Sequence, residues 1–399
     1  MYRIALGGVA LLFALSAAAQ WDVSGSLELE TRIFPEEAAY PDQDNATVSP
    51  SVAFQPEFVY EWADRNNRLT LELFGRVDAD DERRTHFDVR EASYLHLDNR
   101  WDVLIGVSRV FWGVTESVHL VDIVNQTDTV EDIDREDKLG QPMINLNLLR
   151  DSGTYSFFML PGFRERTFPG DDARRRGPLR IDATRATYDS SDEQAHVDFA
   201  FRWSRPIGDW DLAASHFSGT SREARFNPQM NPGGISLRPH YDLIDQTGVE
   251  IQYTKNDWLW KFEGMSRWGH GDQFFAAVGG FEYTRYQIFE SRADLGLLLE
   301  YQYDGRDDDG SAPLVVSDND LFAAARLALN DEDGTAILGG FVVDVDNGTT
   351  SGLLEAERRL NNHWKMELEA RLFLHADTTD PVFLIRRDDS VNLRMTYSF

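Results

Sequence analysis

The chain has 399 residues, 68 of them acidic against 39 basic for a formal charge of −29, and it contains no cysteine. That charge argues against a nucleic-acid partner, and the lack of thiols removes disulfide scaffolds and thiolate metal centres. No Pro/Gly/Ser linker or shift in composition divides the chain, so residues 20–399 read as a single domain.

Residues 1–19 read as a signal peptide: Arg3 in a short basic start, an apolar core over 4–15, then Ser16, Ala17, Ala18 and Ala19, with cleavage before Gln20. The apolar core, about twelve residues, falls short of the roughly twenty that a membrane-crossing helix needs. No later run approaches that length, which excludes helical spans. Alternation follows instead. Trp21, Val23, Gly25, Leu27, Leu29, Thr31 and Ile33 share one face, and Asp22, Ser24, Ser26, Glu28, Glu30 and Arg32 share the other, the period of a strand between two unlike media. The pattern recurs over 52–62, 69–77, 101–107, 197–203, 249–253, 258–262, 293–303 and 321–329. Residues 353–372 are rich in helix formers, but alternation decides for a strand: Trp364, Met366, Leu368, Ala370, Leu372 and Leu374 oppose Lys365, Glu367, Glu369, Arg371 and His375. The chain ends on Val391, Leu393, Met395, Tyr397 and Phe399, interleaved with Asn392, Arg394, Thr396 and Ser398.

The connections alternate as well. Short polar turns are expected at 63–67, 98–100, 151–153, 205–209, 255–257, 290–292, 330–334 and 361–363, and mostly longer charged connections between them, the largest near 111–140, 162–192 and 219–246. Trp62 ends its strand before a short turn, while Trp101, Trp210, Trp258 and Trp364 each begin one after a turn. Indole rings tied to one rim read as a membrane girdle.

An export signal, alternating strands and an apolar final strand ending in Tyr397 and Phe399 resemble the outer-membrane β-barrels of Gram-negative bacteria, the porin-like barrels among them. The resemblance implies that the barrel-assembly machinery reads Phe399, that the last strand pairs with the first, and that outer-membrane lipid and lipopolysaccharide surround the wall. The expected fold is all-β, a transmembrane antiparallel up-and-down barrel of about 18 strands, even in number because both termini lie on one side. Sixteen or twenty strands are the alternatives, since 179–188 and 237–244 are ambiguous.

The face opposite the apolar one is charged: Glu28, Glu30, Arg32, Arg68, Glu72, Arg76, Arg90, His96, Arg202, Glu263, Arg267, Glu367, Glu369, Arg371 and Arg394 are expected to line a watery lumen. Eighteen strands about 4.8 Å apart and tilted about 40° enclose a cylinder on the order of 35 Å across, too wide for side chains alone to fill. The connection at 111–140 carries Val118, Leu120, Val121 and Ile123, which a solvated loop would not need, and is expected to fold inward. Its Glu116, Asp122, Asp128, Glu131, Asp132 and Asp134 would then form one wall of a constriction. Arg164, Arg166, Arg174, Arg175 and Arg176 would form the other, setting a transverse field that favours hydrated solutes. The Trp112-Gly113 segment also resembles, over about thirty residues, porin-like barrels of the alginate-export type and related uncharacterised families.

Enzyme motifs are lacking: the nine histidines are dispersed and there is neither a Gly-x-Ser-x-Gly elbow nor a His-Glu-x-x-His pair. The runs Asp307-Asp308-Asp309-Gly310 and Asp344-Val345-Asp346-Asn347-Gly348 miss the spacing of a twelve-residue calcium loop, though acid-rich loops could bind divalent cations weakly. No cofactor and no dedicated metal site is expected. The expected function is a channel for passive passage of small polar solutes. An export or lipid-pathway barrel partnered with an inner-membrane transporter is the alternative, and a barrel hydrolase using Ser215-His216 is a third reading.

Overall fold

The computed structural model describes residues 21–232 and 234–399; the expected signal peptide at 1–19 lies outside them. Eighteen antiparallel strands make one sheet that closes on itself. In chain order they are β1 Asp22–Ile33, β2 Val48–Trp62, β3 Asn67–Asp78, β4 His86–Leu97, β5 Trp101–Ser108 and β6 Gln141–Arg150. Next come β7 Gly153–Pro161, β8 Val197–Ile207, β9 Trp210–Thr220, β10 Leu243–Lys255, β11 Trp258–Gly269 and β12 Gly271–Arg285. The wall finishes with β13 Asp294–Asp304, β14 Asn319–Ala328, β15 Ala336–Asp344, β16 Thr350–Arg359, β17 Trp364–His375 and β18 Ser390–Ser398.

Closure is made by β1 against β18, with Leu27 opposite Tyr397 and Leu29 opposite Met395. One step further, the Gly25 N–H donates to the Phe399 carbonyl at 3.3 Å and the Phe399 N–H returns to the Gly25 carbonyl at 3.1 Å. The Phe399 ring stacks on Phe54, centroids 6.0 Å apart. A Cβ at Gly25 would stand 2.6 Å from the Gln55 carbonyl oxygen and 2.8 Å from Phe399 Cζ, so the seam requires glycine. Among the described residues no edge of this sheet is left unpaired, as a sheet in hydrocarbon requires.

Alternation sorts the wall into two faces. Leu27, Leu29, Val52, Phe54, Leu69, Ile105, Phe199, Phe262, Leu299, Phe341, Leu372 and Leu393 are exposed around the outside, far more apolar surface than a protein presents to water. Residues 350–375, helix-like in composition, form β16, a turn and β17, because any other phase would put Lys365 and Arg371 into the apolar face. Trp62, Trp101, Trp210, Trp258 and Trp364 all lie at strand ends next to short turns. They join an aromatic belt in which Trp62 stacks on Tyr94, Trp210 on Tyr253 at 4.3 Å, and Trp364 meets Tyr397. His96, expected inside, belongs to this belt: it pairs across the ladder with Val103 and packs 5.1 Å from the Trp101 ring.

The opposite rim carries the long connections. Three links on that rim are short: 79–85, 345–349 and residue 270, the last joining β11 to β12 between Gly269 and Gly271, both at positive φ. Of the segments that left the strand count open, 179–188 and 237–241 lie outside the wall, while Leu243 and Ile244 begin β10: Arg225–Asn231 and Gly234–Tyr241 form a separate ribbon, to which Arg180–Ile181 and Thr187–Tyr188 add two short parallel pairings.

Candidate functional site

Residues 109–140, joining β5 to β6, enter the barrel. Val121, Val124 and Asp128 have no exposed surface, and Trp112, Val121, Ile123 and Val124 pack on Met143, Phe158, Leu160, Ala200, Phe217 and Ile244 of the inner wall. This explains the unbroken apolar run in β7: Phe157 and Met159 face outward, while Phe158 and Leu160 face inward onto the loop.

Two glutamates of the far wall hold the tip. Glu263 on β11 accepts the backbone N–H groups of Val114 at 2.7 Å and Thr115 at 3.0 Å, plus the Thr115 hydroxyl at 2.6 Å. Glu300 on β13 accepts the N–H groups of Glu116 and Ser117, both at 2.9 Å. A loop enclosed in a barrel has N–H groups that no ladder satisfies, and a carboxylate that accepts several of them pins the backbone. Further along, the loop meets a different part of the wall: Arg90 on β4 reaches Asp128 at 2.7 Å, Arg76 on β3 reaches Glu131 at 2.8 Å, and Arg371 on β17 reaches Asp134 at 2.7 Å. Arg222, from the 221–242 connection, donates to the Val124 carbonyl at 2.9 Å. The loop is therefore anchored on both sides of the lumen.

Most of the expected constriction charges are consumed in this anchoring. Asp128, Glu131 and Asp132 are buried rather than facing a passage. Asp132 lies between Arg175 at 3.2 Å, Arg371 at 3.4 Å and Arg32 at 3.5 Å. Burial opposes its charge, but those guanidiniums, Arg175 first, hold the carboxyl well below the usual range. Asp122 is taken by Lys138 at 3.0 Å. The arginines do not form a facing wall either. Arg164 pairs with Asp88 at 2.7 Å, Arg174 with Asp388 at 3.2 Å, and Arg175 with Asp132 itself. The Arg176 side chain donates to the Gly177 carbonyl at 3.0 Å, and the Arg166 backbone N–H to the Tyr241 hydroxyl at 3.1 Å. Opposite charges brought together away from water pair directly, because leaving either alone there is strongly unfavourable. Arg84, in the short 79–85 connection, was not singled out in the sequence; it is buried between Glu30 at 2.8 Å and Asp78 at 2.7 Å, and nothing in its local pattern marks it.

The inner face keeps water at the short-turn end. Along β3, side-chain exposure rises from 3% at Arg76 to 12% at Glu72 and 47% at Arg68. Along β17 it rises from 14% at Arg371 to 17% at Glu369, 30% at Glu367 and 39% at Lys365. Glu28, Arg202 and Arg394 also lie on this face, in ion pairs with Arg76, Glu250 and Glu30. Buried Glu30 and Arg32 bond each other, and Arg267 bonds Gln246 and Glu223. Beside the loop, water reaches Glu116, which pairs with Arg326 on β14 and with Lys261 on β11 at 3.2 Å, and Asp134 and Glu136. Glu355 stands opposite Glu369 on the neighbouring strand and completes this group. Lys261 and Glu355 were not read from the sequence as site residues.

Other chemistry finds little footing. Ser215 faces inward and is buried while His216 faces outward, where its ring bonds the Thr247 hydroxyl at 3.0 Å, so the two cannot act as a pair. His86, Asp128 and Glu131 cluster as metal ligands do, as do Asp189, His240 and Asp242, but Arg90 and Arg76 occupy the first set and Arg225 clasps Asp242.

No protein-family model and no curated protein matches the chain. Among solved structures it is similar to a loop L8 deletion mutant of OmpT, an outer membrane protein of Vibrio cholerae, at 12% identity over 96% of this chain and all of that one, with a TM-score of 0.48. It is also similar to a triple mutant of the Rhodopseudomonas blastica porin, at 10% identity over 95% of this chain and all of that one, with a TM-score of 0.44. The closed wall and the apolar belt stand apart from these distant likenesses. The architecture is a closed, eighteen-stranded antiparallel up-and-down β-barrel with an apolar outer belt. In this barrel the 109–140 loop crosses the lumen, and water-facing charge beside it lies between the loop and β14 to β17, with more at the short-turn end.

Proposed function

We propose that the protein is a passive channel for small hydrophilic solutes in the outer membrane of a Gram-negative bacterium, narrowed by the 109–140 loop. The observation that carries this reading is the loop anchored across the lumen, on Glu263 and Glu300 at its tip and on Arg90, Arg76 and Arg371 further along. The passage left beside it is bordered by Glu116, Asp134, Glu136, Glu355 and Glu369 against Arg326 and Arg371. Carboxylates outnumber guanidiniums there, so hydrated cations are favoured over anions. In an enclosed passage such charges act at close range, whereas charges outside are screened within about 8 Å at physiological ionic strength. Outer-membrane lipid and lipopolysaccharide would surround the apolar belt, and the assembly machinery would read the strand ending in Tyr397 and Phe399.

Reversal potentials in planar bilayers under a salt gradient test the reading. The native barrel should prefer cations, and replacing Asp134, Glu136 and Glu355 with their amides should reduce that preference. Native barrels that insert but pass no ions would overturn it.

A further inference from the structure

At the long-loop rim the inner wall carries a row of three side chains, Gln302 on β13, Asp320 on β14 and Asp344 on β15, each opposite the next across the ladder. They are 3%, 4% and 4% exposed. Cross-strand partners on one face stand about 5 Å apart at Cβ, so Asp320 has an amide on one side and a second carboxyl group on the other. Asp380, 5% exposed on the 376–389 connection, is joined to them through the Asn347 amide, which donates to Asp344 at 2.6 Å and to Asp380 at 3.1 Å. Asp318 lies two residues before Asp320, within reach of the charges of Asp344 and Asp380.

Elsewhere in this barrel buried carboxylates face arginines, as Glu30, Asp128 and Asp132 do. Here that pattern breaks. Among the described residues, Asp318, Asp320, Asp344 and Asp380 make no ion pair, and Arg306, at the foot of the adjoining connection, is held by Asp304 at 2.7 Å and Glu223 at 2.9 Å. Asp344 and Asp380 accept backbone N–H groups from Asp346, Asn347 and Val382. Asp320 has only the Asn319 backbone N–H. No donor reaches its enclosed Oδ2, and none reaches the enclosed Gln302 Oε1 opposite. An amide carbonyl and a carboxylate oxygen, both buried and both without a donor, are two independent acceptors on one stretch of the inner wall.

We propose that Asp320, Asp344 and Gln302, supported by Asp380 and Asp318, bind a divalent cation of the calcium class at the rim of the barrel. The donors are all oxygen, carboxylate and amide, which suits a hard ion with six to eight flexible ligands and not zinc or copper. The ion would tie the ends of β13, β14 and β15 to the 376–389 connection, fixing three neighbouring loops without any arginine. The site does not depend on the channel reading, since it lies in the wall and its rim rather than beside the crossing loop.

The test uses the full mature chain refolded in detergent and stripped with a chelator. Calcium should raise the unfolding temperature saturably, at about 0.1–1 mM as in extracellular calcium modules, and should protect 305–318 and 376–389 from protease. Asp320→Asn and Asp344→Asn should weaken the response about tenfold or more, and Asp308→Asn, on an exposed acid of the same connection, should leave it unchanged. If the aspartate variants fail to refold, Gln302→Leu, which removes a neutral ligand, should still weaken it. No response of the native chain to calcium would overturn the proposal, as would a response that Asp320→Asn and Gln302→Leu leave intact. Asp320→Asn that is as stable as the stripped native chain, with calcium acting on neither, would show that a shared proton and not a metal resolves the cluster.

Discussion

Replacing Asp128 with alanine should release the crossing loop while leaving the wall intact. The carboxylate has no exposed surface and receives Arg90 Nη2 at 2.7 Å and the Thr167 hydroxyl at 2.7 Å, with His86 Nε2 at 3.4 Å. In the variant Arg90 keeps Asp88 at 3.1 Å and the Lys138 carbonyl at 3.1 Å, and loses its shortest partner. Breaking a buried ion pair by removing one member costs about 3–5 kcal/mol, so the docked loop should lose at least about two decades in its docking equilibrium. The strand ladders do not involve Asp128, and the loss should therefore fall on the loop. Trypsin cleavage at Arg135 and Lys138 in the folded, heat-modifiable barrel measures it: the variant should be cut much faster. An unchanged cleavage rate would refute the reasoning, because the ion pair would then not be what holds the loop. The same group gives a pH signature. Burial opposes its charge, but the His86 contact, Arg90 and Thr167 outweigh it and hold the carboxyl at about 2, against an ordinary value of 3.8. A depressed carboxyl contributes stability above its unfolded pKa and loses it as pH falls through the folded one, here on the order of 2 kcal/mol. The Asp128 contribution to docking, taken as the difference between native and Asp128→Ala in amide hydrogen exchange of the loop, should stay constant from neutral pH down to about 4 and be lost between about 4 and 2.

At the seam, Gly25→Val should block closure, because its Cβ would stand 2.6 Å from the Gln55 carbonyl, and deleting Phe399 should impair assembly where Ser398→Ala does not. Heat-modifiable migration reads both, and equal folding of all three variants would count against the seam. Leu368→Arg, on the outward face opposite Leu393, should destabilise the barrel by about 2–4 kcal/mol in urea refolding into liposomes, while Glu367→Gln on the inner face should stay within about 0.5 kcal/mol. Equal tolerance would mean the two faces are assigned the wrong way round.

The wall was legible because lipid outside and water inside impose a period of two on every strand, and one slip would bury Lys365 or Arg371 in hydrocarbon. The entry of the 109–140 loop was legible too, since Val121 and Ile123 have no reason to exist on a solvated loop. Partners within the lumen were not legible. Asp128 and Asp134 lie six residues apart in the same loop, yet one is enclosed against Arg90 and the other faces water beside Arg371. Which arginine each acid meets depends on distances across the barrel that no local pattern records. Glu263 reads as one more lumen carboxylate, and only the tertiary path of residues 114–117 turns it, with Glu300, into an anchor. The run from Phe157 to Leu160 did carry a signal: an unbroken apolar strand has two apolar environments, here lipid on one side and the loop on the other.

The central claim is that this loop narrows an open channel, and single-channel conductance tests it most directly. Native barrels in planar bilayers should give a resolvable, ohmic conductance, and barrels in which a short glycine linker replaces residues 114–137 should conduct severalfold more while folding normally. The same conductance from both, or current from neither, would contradict the account.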